Sequence, residues 1–159
     1  MPRSRRAPNP VEPLVGVAPL VSRWIEHLLA AHDPALTLAQ FLALRAIAGE
    51  PVTGAELARR TGVSGAAVSQ LVAALDQAGW VERSQAPDDR RRQVLGLTGA
   101  GKRVYASAAR LVRGRVGELL STFPAPEIDR FARLLERLEQ VLGGAPPPRR
   151  PPPPPHKRP

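Results

Sequence analysis

Apolar residues recur every three to four positions through several blocks of the chain, the spacing that lines them along one side of an α-helix. In "PLVSRWIEHLLAAH" the stripe is Leu20, Val21, Trp24, Ile25 and Leu28. In "TLAQFLALRAIAG" it is Phe41, Leu42, Leu44 and Ile47, with Thr37 as N-cap and Gly49 ahead of Pro51 as the stop. From Thr98 a long stripe of Val104, Tyr105, Ala108, Leu111, Val112, Val116, Leu119, Leu120 and Phe123 runs until Pro124 breaks it. The last block spaces Ile128, Phe131, Leu135, Leu138 and Leu142 by three and four, and Leu134 and Val141 widen the band. A seam this long in a short chain calls for a partner surface. The spacing therefore predicts a platform built from the chain ends and shared with a second copy, the alternative being that one chain fills the seam alone.

The middle of the chain behaves differently. "TGAELARRTGVSGAAVSQLVAALDQAGWVER" holds two short helical patterns parted by "TGVS". Ala58, Gly62 and Val68 stand where a helix-turn-helix needs a small residue, a residue tolerant of positive φ and an apolar core residue. Ser64 is placed to cap the second helix, which runs from about Gly65 to Ala78, and Gly79 to end it with Trp80 folding back towards Leu75. Val68, Leu71, Val72 and Leu75 form its inner stripe, leaving Gly65, Ala66, Ser69, Gln70 and Ala73 outside. That outer face is small, polar and free of acids, which suits a helix lying in a DNA major groove, although an alanine-rich composition would also leave it small. Ser64, Ser69 and Gln70 can hydrogen-bond to bases or phosphates, and Ala66 can touch a thymine methyl.

Two short extended runs follow, "WVERSQ" and "RQVLGLT", with Leu95 and Leu97 facing one way. They predict a hairpin tipped by Asp88, Asp89, Arg90, Arg91 and Arg92. Arginines at such a tip can cross a phosphate backbone into the minor groove, with a neighbouring aspartate holding one guanidinium through a bidentate pair. The fold expected is mainly α, a helix-turn-helix with a small two-stranded β wing between flanking helices.

Composition narrows the function further. With no cysteine, disulfides, thiolate metal sites and thiol redox sensing are excluded. The formal net charge of +9 favours polyanionic partners, but much of it sits in proline-rich tails, among Arg3, Arg5, Arg6, Arg149, Arg150, Lys157 and Arg158, so placement outweighs the total. Residues 1–18 and 143–159 are read as those tails, the latter extended and polyproline-like, around one domain over 19–142. No apolar run is long enough to span a bilayer and no signal core follows the basic start, so the expected location is the cytoplasm, with no membrane partner. "GLTGAGKR" resembles a phosphate loop, yet Arg103 occupies the position of the hydroxyl that would hold magnesium, and Thr98 as a helix cap explains the same letters. His27 and His32, five apart, do not share a helix face as a metal pair would. No paired acid and base marks a catalytic centre, so neither enzyme nor cofactor is expected.

The stretch "ELARRTGVSGAAVSQLVAALDQAGWVERSQAPDDRRRQVLGLTGAG" resembles the winged helix-turn-helix of the MarR family of bacterial transcription regulators. The most specific match is the wing signature of Asp89, Arg91, Leu97, Thr98 and Gly101. The resemblance implies a winged domain over about 37–101, dimerisation helices over about 19–32 and 99–142, Arg91 in the minor groove and Asp89 steadying the wing. Arg90 beside them, with Ser64, Gly65, Ala66, Ser69 and Gln70 on the second helix, completes the expected DNA-binding set. Gln70 stands where relatives often carry arginine, and suits an adenine edge instead of a guanine. The function implied is a homodimeric, sequence-specific DNA-binding regulator, a ligand-responsive repressor acting on an inverted-repeat operator in double-stranded DNA; an architectural DNA-binding protein is the alternative. A small aromatic or apolar effector is expected between the first, second and fifth helices, near Trp24, His27 or Phe41.

Overall fold

The computed structural model describes residues 9–86, 89 and 91–144. In chain order the elements are α1 (Val11–Ala30), α2 (Leu38–Gly49), α3 (Gly54–Thr61), α4 (Gly65–Gln77), β1 (Val81–Gln85), β2 (Gln93–Leu97), α5 (Gly99–Leu120) and α6 (Ala125–Gly144). This is the mainly helical winged arrangement expected. Contacts divide the chain after Leu119, into a unit that holds α1 to most of α5 and a second that carries α6.

The first unit owns the core. Leu29, Leu44, Leu57, Leu75 and Val81 are fully enclosed, drawn from α1, α2, α3, α4 and β1, and Ala108, Ala109 and Val112 of α5 close over them. Local signals set the ends of these helices. At α2, Thr37 and Gln40 form a reciprocal capping box, with the Gln40 amide donating to the Thr37 hydroxyl at 3.1 Å and the Thr37 amide to the Gln40 side chain at 2.9 Å. At the end of α4, Gly79 adopts φ 71°, its N–H donates to the Asp76 carbonyl at 2.8 Å, and Trp80 N–H reaches back to Leu75 at 2.9 Å. Those two bonds satisfy carbonyls that the helix end would orphan, and the positive φ is open to glycine at no steric cost.

β1 and β2 pair antiparallel in the register Val81↔Leu97 through Gln85↔Gln93. A further backbone piece joins them. Val52, between α2 and α3, exchanges two hydrogen bonds with Leu95, at 3.1 and 2.8 Å. That bridge ties the wing to the helix-turn-helix, and it buries Val52 with Leu95.

The wing is also tied to α5. Thr98 N–H donates to the Trp80 carbonyl at 3.1 Å, the Thr98 hydroxyl donates to the Gly79 carbonyl at 2.7 Å, and Gly101 N–H donates to that hydroxyl at 3.0 Å. One threonine thus caps α5 and locks it to the end of α4. The approach is so close that a Cβ on Gly101 would lie 1.9 Å from the Trp80 carbonyl oxygen. The Leu-Thr-x-x-Gly part of the wing signature is therefore a packing requirement.

One expected boundary is corrected. The prolines of this stretch predict a tail to residue 18 and a first helix from 19, but α1 begins at Val11. Pro13 falls in the first turn, where amides have no intrahelical acceptor, so its missing N–H costs little. Pro19 lies inside the helix and removes a single bond there. The first eleven positions of α1 are apolar apart from Glu12, and Val11, Leu14, Val15, Val17, Leu20 and Val21 are exposed. Residues 1–8 and 145–159, which include most of both expected tails, lie outside the described residues. In the second unit, α6 presents Phe131, Leu134, Leu135, Val141 and Leu142 to solvent.

Candidate nucleic-acid interface

The outer face of α4 is built from its cap outward. Gly62 at φ 71° turns the chain out of α3, its N–H bonded to the Ala58 carbonyl at 2.9 Å. The chain extends through Val63, and the Ser64 hydroxyl accepts from Ala67 N–H at 3.3 Å to open α4. Val68, Val72 and Leu75 then turn inward and are buried, which leaves Gly65, Ala66, Ser69, Gln70 and Ala73 exposed together. The Ser69 hydroxyl donates to the Gly65 carbonyl at 3.1 Å, so it meets a partner as an acceptor. The Gln70 amide lies on the same exposed face and offers both donor and acceptor to a base edge.

α3, which carries α4, is braced by charges that the motif reading passed over. Glu56 receives Arg59 at 2.6 and 3.1 Å and Arg60 at 2.7 Å, and Arg60 also reaches Glu50 at 2.7 Å and the Ala46 carbonyl at 3.3 Å. Arg60 thereby stitches α3 to the end of α2. Hydrogen bonds from Arg59 first and then Arg60 hold the Glu56 carboxyl below its ordinary pKa, and Glu56 and Glu50 raise that of Arg60.

At the wing tip, Asp89 acts through the backbone of the turn. Its carboxylate accepts from the backbone N–H of Arg91 at 2.9 Å, and its carbonyl accepts from Arg92 N–H, also at 2.9 Å. An aspartate two residues ahead of an amide readily closes such a local ring, and Asp89 steadies the turn in this way. Ala86 N–H closes the base of the loop on the Arg92 carbonyl at 2.8 Å. Arg91 is exposed at this tip. Asp88 and Arg90 lie outside the described residues.

Trp24, His27 and Phe41, the residues expected near an effector, differ in their surroundings. Phe41 is buried at 8% exposure against Tyr105, with ring centroids 5.9 Å apart. His27 is exposed and turns Nδ1 to the Arg23 carbonyl of its own helix at 2.7 Å, while Trp24 is half-buried. A groove of about 540 Å³ instead lies between the α1–α2 connection and α5, lined by His32, Asp33, Ser107, Arg110, Gly114 and Arg115 among others. His32 fixes its rim. Nδ1 donates to the Pro34 carbonyl at 2.8 Å, and Nε2 is hydrogen-bonded to the Ser107 hydroxyl at 2.9 Å. Among the described residues there is no cluster of three or more potential metal ligands, and no helix is long and apolar enough to cross a membrane.

The model of the MarR family matches residues 36–92. The chain is 33% identical over 104 residues to the HTH-type transcriptional repressor Rv2887 of Mycobacterium tuberculosis, an alignment that covers 65% of this chain and 75% of that protein. The chain belongs to the MarR family. The solved structure of Rv2887 with salicylic acid is similar at a TM-score of 0.67 and 29% identity, over 84% of this chain and 98% of that one. Apo MarR from E. coli is similar at 0.70 and 25%, with the same coverage. Within this MarR-family fold, the α4 face and the wing were legible in the sequence. The Glu56–Arg60 brace carried a signal, acids and arginines at helical spacing of three and four. The groove carried none, since His32 and Arg110 are far apart in the chain.

Proposed function

We propose that this MarR-family protein is a homodimeric, sequence-specific DNA-binding regulator of transcription, a ligand-responsive repressor of the cytoplasm that performs no catalysis. The observation that carries the reading is the α4 face. A capped helix exposes Gly65, Ala66, Ser69, Gln70 and Ala73 in a row without an acid, while its apolar stripe is locked into the core. Small residues let a helix enter the major groove, and Ser64, Ser69 and Gln70 supply the hydrogen bonds there. The wing delivers Arg91 beside Asp89, and Arg90 next to it in the sequence adds charge, for the adjacent minor groove. The exposed apolar rows of α1 and α6 support a shared interface with a second copy, since a monomer would leave them in water. The domain is then one unit of function, with a winged part over about 37–101 between dimerisation helices. The similarity to Rv2887, solved with salicylic acid, supports a small aromatic effector.

A two-fold dimer presents two α4 helices, so its operator is an inverted repeat with half-sites about one helical turn apart. Footprinting on the DNA beside its own gene tests this, and a protected site without two-fold symmetry overturns it. Arg91→Ala sharpens the test. Loss of a minor-groove guanidinium lowers affinity for all sequences and reduces the salt slope by about 1; isotherms at several salt concentrations that match the parent would reduce the tip to a solvated hairpin. The sparse polar decoration of α4 favours one second reading, an architectural protein with little sequence choice. The ratio of operator to random-DNA affinity at fixed salt separates the two.

A further inference from the structure

We propose that α6 carries a second, sequence-independent contact for the phosphate backbone of duplex DNA, a row made of Arg130, Arg133 and Arg137. The row belongs to the unit that holds neither α4 nor the wing. It goes beyond the operator reading and does not require it; only the covering of the apolar side of α6 rests on the dimer.

Spacing of three and four sets the three arginines along one side of the helix. All are exposed, and with Leu134 they line a groove of about 380 Å³. Acids stand within reach on the same helix, Glu127 three residues before Arg130 and Asp129 four before Arg133. Neither pair forms, and among the described residues none of the three guanidiniums is in an ion pair. Like charges three and four apart weaken an isolated helix, so the stability of α6 gives no reason for the row. Three open guanidiniums along one groove are what an extended anion needs.

Reach and surroundings select the anion. From Arg130 to Arg137 the helix rises about 10.5 Å, and duplex DNA carries one charge per about 1.7 Å of axis, so about six phosphates lie alongside. Each guanidinium fork takes phosphate oxygens two at a time. An acidic peptide would have to order several flexible side chains to match them, at a cost in entropy. A lipid surface would need the apolar row of Phe131, Leu135 and Leu142 as well, and the dimer gives that row to a second copy. The sequence after Glu139 contains no acid and continues with Arg149, Arg150, Lys157 and Arg158, which extends the same charge.

Anisotropy with a labelled random-sequence duplex at 50 to 200 mM salt tests the proposal on the full chain. Replacing all three residues (Arg130→Gln, Arg133→Gln, Arg137→Gln) removes three phosphate contacts and lowers the salt slope by about 2.7, so the parent loses about 40-fold more affinity across that range than the variant does. The corresponding triple lysine variant (Arg130→Lys, Arg133→Lys, Arg137→Lys) keeps the slope, because counterion release follows charge. Light scattering and thermal melts show the same oligomer and midpoint for all three proteins, which separates lost contacts from lost structure. A glutamine variant with the parent's slope, or a lysine variant that loses the slope equally, overturns the proposal. So do poly-glutamate or phosphatidylserine vesicles that bind the parent more tightly than the duplex at equal salt and release from the glutamine variant. The operator footprint is read separately: its absence leaves the slope difference standing, and an unchanged slope leaves the footprint standing.

Discussion

Replacing Gly101 by alanine adds one methyl group to α5, and on an ordinary helix that substitution is favourable by about 1 kcal/mol. Here the new Cβ would lie 1.9 Å from the Trp80 carbonyl oxygen, 2.8 Å from its carbon and 3.1 Å from its Cα. All three atoms are backbone, so relief requires α5 to withdraw from the end of α4. Withdrawal strains the bonds that Thr98 makes to Trp80 and Gly79 at 3.1 and 2.7 Å. Overpacking of this kind costs about 3 kcal/mol or somewhat more, so the net loss is about 2 kcal/mol after the gain in propensity. In a chain of this size that lowers the thermal midpoint by about 4–8 °C. Gly114→Ala, in the same helix but with nothing within 4 Å of the added Cβ, serves as the control and raises the midpoint by about 2–4 °C. Thermal melts followed by circular dichroism compare the two with the parent, and DNA affinity falls for Gly101→Ala alone because the wing loses its anchor. A Gly101→Ala protein as stable as the parent would refute the close approach, and with it the packing account of the wing signature.

The remaining expectations concern the DNA-facing residues and their support. Gln70→Ala lowers discrimination at one base pair per half-site by about 1–3 kcal/mol while leaving random-DNA affinity unchanged, as competition binding against single-base operator variants will show. Asp89→Ala loosens the tip turn by freeing the Arg91 amide, so it weakens binding less than Arg91→Ala and leaves the salt slope intact, since no positive charge is lost. Glu56, held below its ordinary value of 4.5 by Arg59 and Arg60, contributes stability that is present above that value and is lost as pH falls through its lowered folded value. Urea melts of the parent and of Glu56→Gln therefore differ at neutral pH and converge in acid; a gap independent of pH contradicts the pairing.

The sequence alone determined what depends on neighbours in the chain. Helical spacing marked the apolar stripes, Thr37 and Ser64 marked helix starts, and Gly79 with Trp80 marked the end of α4, because caps and turns are closed by residues a few positions apart. The division of α4 into a buried stripe and an exposed row followed from the same periodicity, and so did the candidate DNA face. Prolines misled at the N-terminus, where their position within the turn matters more than their number and α1 begins at Val11. What lay beyond local reading was set by segments that meet only in the folded chain. The Val52 bridge to Leu95, the approach of Gly101 to Trp80 and the groove between Asp33 and Arg110 each join residues dozens of positions apart or brought side by side by packing. No periodicity encodes such pairs, since burial of the shared core, and not any local preference, decides which distant surfaces touch.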